Sequence, residues 1–218
     1  MGYTGLCVEA RNVLSSQEGW PLHIRTLGYA LLGLLARRPL WGYDLARRMK
    51  EPIGYFWYAN HSQIYPELAA LETNGFVTHE VVQQWDRPDK KLYSISEAGH
   101  AALQRWVMEP AASSPPRDEL MVKAFSVWLA DRDAAITMYR THEREHLRQL
   151  AVYETQRAEV EARHGADVQR VDSPAFASYA TLQRGIQHER GYAEWCGWMA
   201  EALERAQRGG THSEEPSC

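Results

Sequence analysis

Apolar residues recur at intervals of three and four over most of this chain, interrupted by two short alternating runs, and that pattern predicts helices around a single β-hairpin. In Leu27 to Arg38 the apolar face is Leu31, Leu34 and Leu35. In Gly42 to Glu51 it is Ala46 and Met49 with either Tyr43 or Leu45, which leaves Arg47, Arg48 and Lys50 outside. A third, short helix is expected between Asn60 and Phe76, buried through Ile64, Leu68 and Leu71, with Gln63, Tyr65, Glu67 and Ala70 on the opposite face. Ser62 can cap its start, or Asn60 and Gln63 can form a capping box. Pro66 is tolerated because few backbone N–H groups have intrahelical acceptors in the first turn or so. Gly75 at the left-handed position and Phe76 folding back on Leu71 predict a Schellman ending. Val77 to Gln84 and Lys91 to Ile95 read as strands about the turn WDRPDK. Three helices and a hairpin make a winged helix-turn-helix, in which the short third helix depends on its neighbours for stability.

After the hairpin, Ser96 caps a helix to Glu109 whose apolar contacts are Ala101, Leu103, Trp106 and Val107. Residues 110–116, PAASSPP, form a linker, since adjacent prolines forbid helix. Beyond it, Arg117 to Ala130 presents Leu120, Met121, Ala124, Phe125, Trp128 and Leu129 along one side. Asp131 or Asp133 caps a long charged helix that reaches about Arg163 and is ended by His164 and Gly165. Ser173 followed by Pro174 starts a last helix, which runs to about Arg208. Its stripe is Phe176, Tyr179, Leu182, Ile186, Ala193, Cys196, Met199 and Leu203, with a polar gap around Glu189 and Arg190. One copy is not expected to bury all of that stripe, so the residues predict an antiparallel helical dimerisation domain and a homodimer.

The expected fold is therefore mainly α with a small β-hairpin wing. Its parts are an N-terminal extension 1–25, a winged helix-turn-helix 26–109, the linker 110–116, the helical dimerisation domain 117–208 and a disordered tail 209–218. A twofold pair would address half-sites about 34 Å apart in an inverted-repeat operator.

Charge changes this picture only locally. The net charge is −4, and Thr26 to Glu109 holds nine Lys or Arg against nine acids. That balance argues against indiscriminate coating of nucleic acid, but Arg47, Arg48 and Lys50 cluster on one helix and Arg87, Lys90 and Lys91 on the hairpin, so a neutral domain can still carry a basic edge. The alternative is that both clusters are ordinary solvated faces.

The stretches LGYALLGLLARRPLWGYDLARRM, SQIYPELAALETNGFV and DRPDKKLYSISEAGHAAL, in that order, resemble the PadR family of bacterial transcriptional regulators from Leu27 to Trp106. RDELMVKAF and GIQHERGYAEWCGWMAEAL are similar to the C-terminal helical domain of the larger PadR subgroup, named after a Vir-type activator. The resemblance implies that the hairpin is the wing and the third helix the reader. It also implies repression released when a small molecule binds the dimer. On this reading Tyr43, Ser62, Gln63 and Tyr65 contact bases or phosphates, and Arg87, Lys90 and Lys91 grip the backbone of double-stranded DNA. The reading helix has no Arg or Lys, so bidentate readout of guanine by Arg is not available there.

Eight tryptophans is a high count, and Trp106, Trp128, Trp195 and Trp198 are candidate platforms for a small planar or cationic effector; the alternative is that they fill core and interface. His142, Glu143, Arg144, Glu145 and His146 match H-E-x-x-H, the zinc-hydrolase helix. The surrounding run is dense in Arg, Glu and Gln and offers no catalytic scaffold, so no metal, cofactor or catalytic residue is expected. No nucleotide loop or nucleophile elbow appears either. Cys7, Cys196 and Cys218 have no paired spacing and read as reduced thiols of a cytoplasmic protein. No segment reads as a signal peptide or membrane span. A winged-helix adaptor that binds protein rather than DNA remains the main rival to the regulator.

Overall fold

The computed structural model describes residues 24–49, 61–83, 90–111 and 117–210. By their contacts the described residues divide into two compact units, one reaching from residue 24 to 45 and from 61 to 107, the other comprising 46–49 and those from 108 to 210.

The first unit contains α1 (Thr26–Leu35), β1 (Leu40–Trp41), the start of α2 (Gly42–Arg48), α3 (His61–Thr73), β2 (Val77–Val82), β3 (Lys90–Ile95) and most of α4 (Glu97–Met108). Leu31, Leu32, Leu34 and Leu35 of α1 are buried together with Ile64, Leu68 and Leu71 of α3, as the spacing predicts. In α2 Leu45 is buried together with Ala46, while Tyr43 is 66% exposed, so Leu45 and not Tyr43 completes the apolar face. The sheet is antiparallel in the order β1-β3-β2, with Leu40 opposite Tyr93, and Val77 to Val82 opposite Ile95 to Lys90. β1 is an addition to the expected hairpin, two residues long and too short to show alternation.

The end of α3 is the Schellman motif that its sequence implies. Gly75 has φ 72°, its N–H donates to Glu72 O at 2.9 Å, and the Phe76 N–H donates to Leu71 O at 2.9 Å. Ser96 joins this ending to α4: its hydroxyl donates to Gly75 O at 2.6 Å and accepts from the Gly99 N–H at 3.1 Å, and its N–H donates to Phe76 O at 3.0 Å. At its start α3 already includes His61, so Ser62 lies in the first turn and is not the residue preceding it; Asn60 lies outside the described residues. In α4 the buried positions are Gly99 and Ala102, whereas Ala101 and Val107 are exposed, because the packed face is shifted from the one expected.

The second unit is built on two long helices, α6 (Arg132–His164) and α7 (Pro174–Gly210), preceded by α5 (Glu119–Phe125). Short 3-10 turns, Val127–Leu129 and Gly165–Gln169, flank α6. Asp131 caps α6, its carboxylate accepting from the Ala134 N–H at 2.9 Å, and Gly165 ends it with φ 50°. Ser173 caps α7 through the Phe176 N–H at 3.0 Å, with Pro174 as the first helical residue. Asp131→Ala is expected to cost about 1 kcal/mol, read as a lower melting temperature, because it leaves a first-turn amide unpaired.

The apolar stripe of α7 behaves differently from expectation. Leu182 and Ile186 pack with Tyr153 and Leu150 of α6, and Cys196 and Ala200 pack with Tyr139 and Leu120. Met199 and Leu203 border the second cluster, and Phe176 and Tyr179 are half-buried. Leu182, Ile186 and Cys196, expected at a contact between copies, are thus consumed within one chain, because the sparse apolar side of α6 is enough to cover them. Burial pushes the Cys196 thiol up to about 11, with Glu143 and Asp118 adding to the shift, so it is a core group and not a reactive one. The polar gap in α7 sits between the two clusters, where Glu189 meets His146 at 2.5 Å and Arg190 meets Glu154 at 2.8 Å.

In contrast, the segment expected to bury one long side, 117–130, is exposed. Its helix stops at Phe125, only Leu120 is buried, and Phe125, Trp128 and Leu129 are 88%, 79% and 69% exposed.

Candidate nucleic-acid interface

A helix that reads DNA needs one face committed to the core and another free of negative charge. α3 has both. Its inner face is Ile64, Leu68 and Leu71; Ser62, Gln63, Tyr65, Ala69 and Ala70 are exposed on the other. The two acids of α3 are turned away from that outer face. Glu67, expected on it, is instead buried and ion-paired with Arg25, the residue preceding α1. Glu72 pairs with His79 of β2. Sequence reasoning missed both partners, since Arg25 is far along the chain, His79 lies across the turn from α3 into β2, and Glu67 occupies a position that helical spacing assigns outward. The result is an outer α3 face with no exposed carboxylate.

The start of α2, where Tyr43 is exposed, lies against Tyr65 and Tyr93 at Gly42. A Cβ on Gly42 would lie 3.1 Å from the Tyr65 ring and 3.4 Å from the Tyr93 ring, so the start of α2 sits directly on these two side chains. Tyr93 is buried, and its phenol is raised above the usual range by burial first, then by Glu72 and Tyr65. Its ring is tilted against His79 at 5.7 Å, which backs the α3 to β2 junction with an aromatic contact. Lys90 and Lys91 are exposed, opposite Val82 and Val81 at the outer end of the hairpin. Arg87 lies outside the described residues.

The four candidate effector tryptophans do not form one set. Trp106 stacks on Tyr29 of α1 with ring centroids 4.4 Å apart and planes 7° apart, inside the first unit. Trp195 is half-buried against Tyr139 and Tyr192 of the second unit. Trp128 and Trp198 are exposed.

The H-E-x-x-H residues are engaged separately. His142 faces Glu145 at 3.6 Å and His146 faces Glu189, while Glu143 accepts from Arg140 at 2.9 Å and lies against the α7 backbone at Gly197. Glu143 and then Glu204 raise the Arg140 guanidinium further, tying α6 to α7. These are the contacts of a helix-pairing surface, with the two histidines held by different carboxylates.

A trihelical core, a three-stranded sheet with a hairpin and a third helix whose outer face exposes no carboxylate define a winged-helix transcriptional regulator. Residues 31–105 match the model of the PadR-like family of transcriptional regulators, and residues 116–204 match the C-terminal domain of the virulence activator alpha family. The negative transcriptional regulator PadR of Bacillus subtilis is 33% identical over 174 residues, covering 79% of this chain and 94% of that protein. Its crystal structure in complex with operator DNA superposes with TM-score 0.74 at 30% identity, covering 82% of this chain and 99% of that one. Its complex with p-coumaric acid superposes with TM-score 0.68 at 29% identity, over 86% and 99%. The chain belongs to the PadR-like family of transcriptional regulators, not to an enzyme family.

Proposed function

We propose that this protein is a homodimeric, ligand-responsive repressor that binds an inverted-repeat DNA operator in the cytoplasm. The observation that carries the reading is the α3 face, where Ser62, Gln63 and Tyr65 are exposed while Glu67 and Glu72 are tied inward. Gln63 can pair with an adenine edge, and Tyr43 and Tyr65 can reach phosphate or sugar. Lys90 and Lys91, with Arg87, supply backbone charge from the wing. Among the described residues no helix is long and apolar enough to cross a membrane, in keeping with a DNA-side location.

The exposed apolar residues Phe125, Trp128 and Leu129 support pairing with a second copy, since large side chains this open to water are costly on a monomer. They replace the α7 stripe as the candidate dimer surface. The operator-bound and p-coumaric acid-bound states of the Bacillus subtilis relative support a small aromatic effector acting on DNA affinity.

The test is a gel-shift titration against DNA from the protein's own upstream region at several salt concentrations. Lys90→Ala with Lys91→Ala is expected to weaken binding uniformly across sequences and to lower the salt slope by up to about two units per protomer. An unchanged slope would remove the wing from the interface, and no shifted complex at all would favour the adaptor.

A further inference from the structure

We infer that His79 is a positioning residue for DNA binding, and that the proton it carries decides whether the Glu72 carboxylate opposes the phosphate backbone. This rests on the reading of α3 as the DNA-contacting helix and adds to it a dependence on pH.

Helical spacing puts Glu72 on the same ridge of α3 as a proposed DNA contact. Tyr65, Ala69 and Glu72 follow one another at intervals of four and three, which places the carboxylate about 10 Å further along the axis from Tyr65. A free negative charge there would repel phosphate. What draws it aside is His79 of β2, whose Nδ1 meets Glu72 Oε1. The Glu72 side chain is still 32% exposed, so the tie turns the carboxylate without taking it out of water. Among the described residues His79 is the one ion-pair partner of Glu72.

The tie has two charge states. Neutral His79 donates through Nδ1 and leaves Glu72 its full charge, whereas protonated His79 makes the same contact and cancels it. Histidine is the side chain whose charge changes between about pH 5 and 8. The titratable groups facing His79 are Glu72 from α3 and Tyr93 from β3, its ladder partner, whose tilted ring lies 5.7 Å away. Lys91 stands on the same face of the sheet one pair further out, opposite Val81. Tyr93 stays neutral, since burial raises its phenol above 10.0. Its ring and that of Tyr65 both lie against Gly42, so the tie sits where α2, α3 and the sheet meet. Phosphate beside α3 favours the charged histidine, and by linkage a lower pH favours the complex. Binding therefore takes up protons, and added salt shrinks the effect.

Fluorescence anisotropy of the full chain with DNA from its own upstream region, at pH 6 and pH 8 and constant ionic strength, tests this. The unaltered chain is expected to bind at least about threefold more tightly at pH 6, the scale of one partly screened charge. Glu72→Gln keeps an acceptor for His79 without the charge. It is expected to bind at pH 8 about as tightly as the unaltered chain binds at pH 6, and to gain little on acidification. His79→Gln keeps a donor for Glu72 and is expected to hold the weaker affinity at both values. Calorimetry at pH 7 in buffers of differing ionisation enthalpy is expected to show proton uptake by the unaltered chain and less by either variant. A tie that is only structural predicts the reverse for Glu72→Gln, weaker binding at pH 8 with the pH dependence kept, and that result overturns the inference. Melting temperatures establish that each variant is folded; if His79→Gln is not, Glu72→Gln decides alone. A complex whose affinity is the same at both pH values overturns the role of the proton and leaves the α3 reading standing. No complex at either pH overturns both.

Discussion

Gly99→Ala is expected to destabilise the winged-helix unit by about 3 kcal/mol or more, the upper range for forcing a methyl into packed structure, and to abolish operator binding. An alanine Cβ at this position would lie 2.2 Å from the Phe76 carbonyl oxygen and 2.8 Å from Ile95 Cγ1. The carbonyl cannot swing aside freely, because it accepts the Ser96 N–H at 3.0 Å, and the Phe76 N–H is committed to Leu71 O. Any retreat of α4 therefore pulls on Ser96, and through its hydroxyl on the Gly75 carbonyl that ends α3. The strain arrives at α3, the proposed DNA-contacting helix, although Gly99 itself is not among the proposed DNA contacts. Gly33→Ala is the matched control: among the described residues nothing lies within 4 Å of its Cβ position in α1, so the same change there is expected to stabilise by about 0.5–1 kcal/mol. Thermal unfolding followed by circular dichroism decides it. If the two variants melt alike, the close approach of α4 to Phe76 is not a constraint on the fold.

That contrast also shows what the amino-acid sequence makes legible. Gly75 with Phe76, Asp131, and Ser173 with Pro174 were readable as helix ends because capping is chemistry between residues a few positions apart. The buried leucines of α1 and the inner face of α3 were readable because period alone assigns them. What failed needed partners far along the chain. Glu67 reads outward until Arg25 is placed beside it. The α7 stripe reads as a surface between copies until Tyr139, Tyr153 and Leu150 of a helix that looks wholly charged are found to cover it. Periodicity says which side of a helix is apolar but not what lies against it. For the candidate site, the outward position of Gln63 and Tyr65 was readable from helical period, whereas the inward ties of Glu67 and Glu72 that clear the same face of carboxylate were not, since they depend on Arg25 and His79.

Tyr139 carries the second large effect, and the pair Tyr139→Ala and Tyr139→Phe separates ring from hydroxyl. The ring is fully buried in the cluster with Leu120, Cys196 and Ala200 and stands edge-on to Trp195 at 5.7 Å. Removing it is expected to cost about 3–5 kcal/mol, the range for deleting a large buried ring. The hydroxyl is buried with no hydrogen-bond partner among the described residues, so phenylalanine is expected to be neutral or stabilising by up to about 1 kcal/mol. Burial, and secondarily Cys196, raises the Tyr139 phenol above its usual value of 10.0, as burial raises Cys196 from 9.0 to about 11. Both groups hold their protons more tightly when folded, so their contribution is complete below about pH 9 and is lost as the pH climbs toward 11 and beyond, where the unfolded chain releases protons first. Tyr139→Phe is therefore expected to soften the alkaline loss of stability without removing it, because Cys196 remains. Equal melting temperatures for the two variants would mean that α6 and α7 are not held together by this ring.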